Sequence, residues 1–371
     1  MTDEVPSTDT YALKVATLSE IAAPELDYRP PNPKGEYARI GLIGAGGIAA
    51  SHLDAYRTAG WEVAAICNRN LAKAQSRAAE FAPNARVTDR YEDILADPSI
   101  NIVDITPHPA ERVPIIEASL KAGKHVLSQK PLVLNLDDGE RLVKLAQDKG
   151  VKLAVNQNGR WAPHMAWMRE AVRAGLIGEV ISVHTAVHWN HDWIAGTPFE
   201  KIEDVILYDF SIHWFDFLSS ICGDRVESVF ATSSMATRQI AAVPLLAQAL
   251  VRMRGGQASL IFDGATVVGP RDTTFIAGTK GSLYSDGPDL GSQEITLTTE
   301  NGRSKPLLEG TWFNDGFRGA MGALLLAIET NEEPANGAAA NLKSLALAFA
   351  AIESRQSGRE VAIGQTIGIV L

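Results

Sequence analysis

Short apolar, β-rich runs alternate with helix-length segments in the first part of the chain. The pattern predicts strands at 38–43, 62–67, 102–106, 125–128 and 152–155, and helices at 47–58, 71–80, 110–122 and 136–149. Alternation of this kind is typical of a parallel sheet with helices on both faces. The sequence therefore predicts an N-terminal α/β domain.

The pattern changes after residue 155. A helix at 163–174 precedes strands at 180–188, 228–231, 248–254, 258–262, 273–276 and 294–299, and closing helices are predicted at 319–330 and 341–355. Consecutive strands without crossover helices predict an antiparallel sheet, and hence an α+β domain with a large open sheet.

Three segments follow from these patterns: an arm at 1–36, a parallel-sheet domain at 37–158 and an α+β domain at 159–371. The arm ends in the proline-rich run 29–35, which favours extended backbone. A free tail and a segment that wraps the body or a sister subunit both fit that run.

Composition narrows the function classes. The chain has 371 residues, 46% hydrophobic and 21% charged, which is ordinary for a globular protein of two domains. A formal net charge of −10 argues against nucleic acid or an anionic membrane as partner. The two cysteines, Cys67 and Cys222, form no metal-binding motif, and no leader or long apolar run is present, so we expect a reducing, cytoplasmic location and no metal.

A glycine-rich motif follows the first predicted strand. Residues 40–49 read IGLIGAGGIA, a strand that runs into G-x-G-x-x-A and then into a helix beginning near Gly47 and Ile48. Gly44 permits the tight turn, Gly46 lets a pyrophosphate approach the backbone, and Ala49 allows close packing of helix on strand. The motif in this context predicts a dinucleotide site at Gly44, Gly46, Gly47 and Ile48.

The choice between NAD and NADP depends on the end of the second strand. The acid that usually holds the adenosine ribose there is missing, and Asn68 and Arg69 occupy the position. Asn68 could hydrogen-bond a ribose hydroxyl, whereas Arg69 could pair with a 2′-phosphate. NAD and NADP both remain possible cofactors. NAD is slightly favoured because a single arginine would bind a 2′-phosphate weakly.

The segment 123–131, GKHVLSQKP, resembles the Gfo/Idh/MocA oxidoreductases, the family of glucose–fructose oxidoreductase and inositol dehydrogenase. The likeness extends from residue 37 to about residue 364. It includes VDITP at 103–107, RWAP at 160–163, GLIGEV at 175–180 and YDFSIHWFD at 208–216. Several motifs in the correct order are more specific than any one of them.

The resemblance implies that the cofactor also contacts Thr106, Pro107, His108, Gln129 and Lys130. The chain departs from the family at two of these motifs. Gln129 replaces a glutamate, and Glu111 stands where the family has a histidine.

The family implies a Rossmann domain followed by an open mixed sheet, with lysine, aspartate and histidine meeting beside the nicotinamide, here Lys130, Asp209 and His213. Asp209 and His213 are four residues apart, which predicts one face of a helix. Histidine can take a hydroxyl proton as hydride leaves, and a carboxylate can orient the ring. Lys130 ends a parallel strand, where its ammonium could hydrogen-bond the reacting oxygen.

Two stretches rich in amide, imidazole and indole groups suit a sugar or polyol, at 156–161 and 188–193. The candidate substrate contacts are Asn158, Arg160, Trp161, Trp189, His191 and His213. A buried polar network with core tryptophans is the alternative interpretation of the same residues.

The resemblance is greatest to sugar dehydrogenases that oxidise a pentose such as apiose at the anomeric carbon to a lactone. An inositol-type secondary alcohol dehydrogenase and a non-catalytic nicotinamide sensor stay open. Family members also imply a homodimer or homotetramer that forms through the C-terminal sheet.

Overall fold

The computed structural model describes residues 18–35 and 38–370. Predictions for residues 1–17, 36 and 37 lie outside the described residues.

The N-terminal sheet is wholly parallel. Its strands are β1 Arg39–Ile43, β2 Glu62–Cys67, β3 Arg86–Thr88, β4 Ile102–Ile105, β5 His125–Gln129 and β6 Leu153–Asn156, in the order β3-β2-β1-β4-β5-β6. The helices between them are α1 Ala49–Ala59, α2 Leu71–Phe81, α3 Tyr91–Leu95, α4 Pro109–Lys121 and α5 Leu136–Lys149. The strand order reverses between β1 and β4, and ligands of such sheets bind at the carboxyl ends of the strands at that point.

The C-terminal part contains a nine-stranded sheet with helices on one side. Its helices are α6 Pro163–Arg173, α7 Ile212–Cys222, α8 Trp312–Thr330 and α9 Ala338–Ser357. Its strands are β7 Val180–His188, β8 Val226–Ser234, β9 Leu246–Met253, β10 Gly256–Asp263, β11 Arg271–Gly278, β12 Gly281–Gly287, β13 Glu294–Thr299, β14 Gly302–Ser304 and β15 Val361–Ala362. Their order is β14-β13-β12-β11-β7-β10-β9-β8-β15.

One pair of strands corrects the antiparallel expectation. β10 runs parallel to β7, while every other neighbouring pair of this sheet is antiparallel. The chain leaves β7 through a long segment that includes α7 and returns by way of the β8–β9–β10 meander, so β10 joins β7 in the same direction. The sheet is mixed, as the family resemblance implies.

Helix α8 connects the two sheets. Phe317, Met321 and Leu324 on α8 belong to the apolar cluster that also contains β1 and α1. Gly319 lies against the indole of Trp161, a member of the same cluster, where an added Cβ would come within 2.3 Å of the ring. Lys130, directly after β5, contacts Asp209 just before α7, so the carboxyl end of the parallel sheet faces that segment.

Residues 18–35 form an extended strap over the body. The Ile21 amide donates to the Arg303 carbonyl at 2.8 Å, which adds a bridge outside β14. Further along, the amide of Glu309 donates to the Tyr28 hydroxyl at 2.8 Å. Within its described residues, the predicted arm wraps the protein.

In residues 18–35 and 38–370, no helix is long and apolar enough to cross a membrane.

Candidate active site and cofactor cleft

The turn between β1 and α1 has the shape of a phosphate cradle. Gly44 has a φ of +100°, and a Cβ there would lie 2.4 Å from Oγ1 of Thr106. A Cβ on Gly46 or Gly47 would meet no atom within 4 Å. No side chain caps α1 at Ile48, and its first turn carries no acid. The backbone is therefore open to a pyrophosphate, which fits a dinucleotide.

Asn68 ties the end of β2 to this turn. Its Oδ1 accepts from the Ala45 amide at 3.0 Å, and its Nδ2 donates to the Asn70 carbonyl at 2.9 Å. The neighbouring Arg69 donates through Nη2 to both carboxylate oxygens of Glu111, at 2.9 and 3.0 Å. The arginine considered for a 2′-phosphate is therefore paired within the protein.

Lys130 lies directly after β5 and forms a cis peptide bond with Pro131. Its Nζ donates to the Asp209 carbonyl at 2.8 Å and lies 3.1 Å from the carboxylate Oδ2 of the same residue. Their side chains are only 14% and 23% exposed, so the ion pair is partly shielded from water. The structure thus brings Lys130 and Asp209 together from the two sides of the cleft.

The helix expected to carry Asp209 and His213 on one face is not a continuous α-helix, and that prediction is wrong. Residues Ile206–Phe210 form a π-helical turn, in which the Ser211 amide donates to the Ile206 carbonyl at 2.8 Å, and α7 begins only at Ile212. Such turns shift the side chains that follow out of α-helical register. The Asp209 carboxylate, on this π-helical turn, pairs with Lys130.

His213 lies beside this pair in a largely apolar setting. Its ring meets the indole of Trp312 edge-on at 5.4 Å. Its Nδ1 is buried without a hydrogen-bond partner, and a Cβ on Gly159 would lie 3.1 Å from it. Burial, with the Lys130 charge, lowers the pKa of His213 well below its usual value. The imidazole is therefore neutral at pH 7 and able to accept a proton.

His191 lies next to the residue that follows Asp209. Its ring packs against Phe210 at 4.4 Å, and its Nδ1 is buried without a partner. Burial lowers the pKa of His191 to about 4; Asp209 opposes the shift and Lys130 adds to it. These two charges therefore lie within electrostatic reach of the ring.

Two tryptophans flank His191 on the segment after β7. Trp189 is half-buried, and its amide donates to the Asp263 carbonyl at 2.8 Å. The Trp193 side chain is 55% exposed, with its ring 5.4 Å from that of His191. This segment presents aromatic surface next to an unpartnered imidazole nitrogen.

Three of the predicted substrate contacts are buried and held within the protein. Arg160 makes a bidentate pair with Asp216, with Nε to Oδ2 at 2.6 Å and Nη2 to Oδ1 at 2.9 Å. Trp161 is buried against α8. Asn158 is also buried, and its Oδ1 accepts from Nε1 of Trp312 at 3.0 Å. An ion pair occupies Arg160 and packing occupies Trp161, so their role as substrate contacts stays a prediction.

Arg112, which sequence reasoning missed, holds the cofactor-side loops together. Its guanidinium is buried and donates to the carbonyls of Pro107, Gln129 and Pro131. It therefore joins the 106–108 loop to the turn that presents the catalytic lysine candidate. Burial lowers the pKa of Arg112 to about 10. His108, at the start of α4, is exposed beside this loop.

A buried polar chain leads from the parallel sheet to the backbone of Lys130. Oε1 of Gln129 accepts from the Lys130 amide at 2.8 Å and from Nδ2 of Asn156 at 3.1 Å. Asn156 lies 3.2 Å from Nε2 of His52, whose Nδ1 lies 2.7 Å from the Asp104 carboxylate. The uncharged Gln129 thus accepts two hydrogen bonds and is fixed in place.

The sequence signal that could have revealed these residues is a polar side chain at a position of the helix that faces the interior. His52 shares the inward face of α1 with Leu53 and Tyr56, and Arg112 shares that of α4 with Ile116. A charged or titratable residue at such a phase needs an internal partner.

No group of three or more histidine, cysteine, aspartate or glutamate side chains in the described part of the chain is arranged to hold a metal ion.

A six-stranded parallel sheet with an open glycine turn, facing a lysine–aspartate pair and a neutral histidine, defines a nicotinamide-dependent oxidoreductase. Two family models match the chain: the oxidoreductase family, NAD-binding Rossmann fold, over residues 38–157, and the GFO/IDH/MocA C-terminal domain over residues 165–284. The chain belongs to this Gfo/Idh/MocA family of NAD-binding oxidoreductases.

Named relatives span most of the chain. It is 27% identical to inositol 2-dehydrogenase of Rhizobium meliloti, over 88% of this chain and 99% of that protein. It is 26% identical to D-apiose dehydrogenase of Rhizobium rhizogenes, over 87% and 96% respectively. Among solved structures, an oxidoreductase from Agrobacterium radiobacter in complex with NAD+, L-tartaric acid and magnesium superimposes with a TM-score of 0.78 at 24% identity, over 88% of this chain and 99% of that one. The last comparison supports the fold alone.

Proposed function

We propose that the protein oxidises a sugar or polyol, and that its substrate is an aldose, a pentose such as apiose, oxidised at the anomeric carbon to a lactone. The observation that carries the proposal is the approach of the Lys130 ammonium to Asp209 at 3.1 Å, beside the neutral imidazole of His213. An ammonium donor and a neutral base next to a dinucleotide cleft are the two groups that removal of hydride and proton from a CH–OH group requires.

The proton and the hydride leave separately. An oxidised nicotinamide cofactor held at the Gly44–Gly47 turn would supply the acceptor for the hydride that leaves carbon. Lys130 donates a hydrogen bond to the substrate oxygen and stabilises the negative charge that grows on it. His213 accepts the hydroxyl proton, so the carbon–oxygen bond becomes a carbonyl. Asp209 holds Nζ of Lys130 in place through its carbonyl and its carboxylate.

His191 and Trp189, on the segment after β7, are the proposed substrate contacts. The unpartnered Nδ1 of His191 suits a sugar hydroxyl, and an indole face suits the C–H face of a ring. Asn158 supports the site indirectly, since its Oδ1 orients Trp312 behind His213.

The test mixes purified protein and NAD with apiose, xylose, glucose or myo-inositol in turn. The rise in absorbance of reduced nicotinamide measures the oxidation of each. We expect a rise with a pentose and a lactone as product. His213→Ala should abolish turnover and leave NADH affinity unchanged. His184→Ala is the matched control, because His184 hydrogen-bonds Ser259 on the nine-stranded sheet at 2.7 Å. Full turnover by the His213 variant would refute the proton-acceptor role.

The panel also separates the alternatives. A ketone formed from myo-inositol would favour oxidation of a secondary ring hydroxyl, the activity named for the Rhizobium meliloti relative. Tight NADH binding without turnover of any substrate would favour a nicotinamide-binding sensor.

The proposal extends to assembly and location. Six neighbouring strands each present an exposed apolar side chain: Ile181, Phe230, Leu250, Ile261, Phe275 and Tyr284. Apolar area of this extent supports pairing with a second copy, as a homodimer or homotetramer, which sedimentation velocity would test. We also propose the domain division 37–158 and 159–371. The proposed location is the cytoplasm, where the buried free thiols Cys67 and Cys222 stay reduced.

A further inference from the structure

The acid that usually follows the second strand of a Rossmann domain is missing after β2, and Glu111 of α4 brings a carboxylate to the same place. β2 is followed by Asn68 and Arg69, with no acid. Glu111, in the first turn of α4, places both its oxygens 2.9 and 3.0 Å from the Arg69 guanidinium. The two side chains are 47% and 84% exposed, so the pair lies at the solvent edge of the cleft.

The position of this pair determines what it can recognise. In Rossmann domains the adenosine ribose lies at the end of the second strand, where an acid favours a free 2′-hydroxyl and an arginine accommodates a 2′-phosphate. Arg69 alone would favour the phosphate. Both carboxylate oxygens of Glu111 accept hydrogen bonds from the Arg69 guanidinium, which neutralises its charge. The negative charge of Glu111 also repels a phosphate.

Neighbouring groups reinforce this effect. Both ends of the Asn68 amide already hydrogen-bond within the protein. The pKa of Cys67, the last residue of β2, is raised to about 11 by burial and by the charges of Glu92, Asp89 and Asp93. The carboxylates of Glu92, Asp89 and Asp93 add negative charge near the end of β2, which disfavours an additional phosphate.

We propose that Glu111 determines cofactor specificity: it neutralises Arg69 across the adenosine end of the cleft, so the site takes NAD and rejects NADP. This inference rests on the proposed function, since it concerns the same cofactor cleft.

The test is fluorescence titration of NADH and NADPH into the full-length protein and its variants. Wild type should bind NADH at least about tenfold more tightly than NADPH. Glu111→Gln should tighten NADPH binding about five- to tenfold, as expected when one charge near a doubly charged phosphate is removed at a solvent-exposed site, and change NADH binding less than about twofold. Much of the gain should disappear in 1 M salt.

Two variants control the result. Glu117→Gln removes another ion-paired glutamate of α4, which contacts Lys121 and Arg141, and should bind both cofactors as wild type does. Arg69→Gln combined with Glu111→Gln should lose most of the NADPH gain, because the freed guanidinium provides it.

The outcomes distinguish the two proposals. Equal affinity of wild type for NADH and NADPH, or an unchanged affinity ratio in Glu111→Gln, would overturn the role of Glu111 and leave the dinucleotide cleft standing. Failure of wild type to bind either cofactor would overturn the cleft assignment and, with it, this inference.

Discussion

The ion pair between Arg160 and Asp216 makes a sharp test of whether Arg160 stabilises the fold or binds substrate. The two side chains are 8% and 2% exposed, and Asp216 also accepts from Oγ of Ser344 at 2.9 Å. Asp216→Asn keeps the shape but leaves the guanidinium buried without a counter-charge. Breaking a buried pair on one side costs about 3–5 kcal/mol of unfolding free energy.

The expected shift in melting temperature follows from chain length. Unfolding entropy of about 2.1 cal/mol/K per residue gives roughly 0.8 kcal/mol/K for the whole chain, so the loss corresponds to about 5 °C. The assay is thermal unfolding at pH 7 and a fixed scan rate. Asp224→Asn is the matched control, because its pair with Lys343 is exposed and should contribute less than about 1 kcal/mol.

A double variant separates the cost of an unpaired charge from the value of the pair. Arg160→Met with Asp216→Leu should melt above Asp216→Asn, since no charge is left buried. If Asp216→Asn melts within about 1 °C of wild type while Arg160→Met raises the KM for the sugar, the stabilising role is refuted and Arg160 is a substrate contact after all.

Three further predictions follow from the cleft. Gly44→Ala should abolish NADH binding, because its Cβ would come within 2.4 Å of Oγ1 of Thr106, whereas Gly60→Ala, at a φ of +74° in open space, should keep it; equal titrations would refute the steric argument. Arg112→Leu should lower kcat/KM about tenfold or more by releasing the loops it joins, and a variant that only melts earlier would contradict this. Because the pKa of His213 is lowered and its neutral form accepts the proton, kcat/KM for oxidation should stay flat as pH falls to 6.5 and decline only below it; a decline centred above pH 6.5 would exclude His213 as the base.

Much of the fold could be predicted because burial imposes a regular period on each element. The bounds predicted for β2, α5, β7 and β13 agree with the structure. β3 and β14 have three residues each, too few to show a period, and were missed. β12 was missed because its sequence, GSLYSDG, reads as a turn, and only pairing with β11 and β13 makes it a strand.

The site was predictable where its chemistry is local. The geometry of Gly44 follows from its motif, and the structure confirms the tight turn. The partner of Arg160 lies 56 residues away, and the acceptors of Arg112 are backbone carbonyls that have no residue identity. The π-helical turn at Ile206–Phe210 has no such pattern in its sequence. Such contacts exist only once the chain has folded.

The strap at residues 18–35 also determines where the large sheet ends. An unpaired edge strand offers free N–H and C=O groups to strands of other molecules. The bridge of Glu20 to Arg303 occupies that edge beyond β14, and further on the Gly35 amide is anchored to Glu329 at 2.9 Å. The protein therefore covers one edge of its own sheet with its N-terminal segment, and proteolysis within that segment would expose this edge as a template for aggregation.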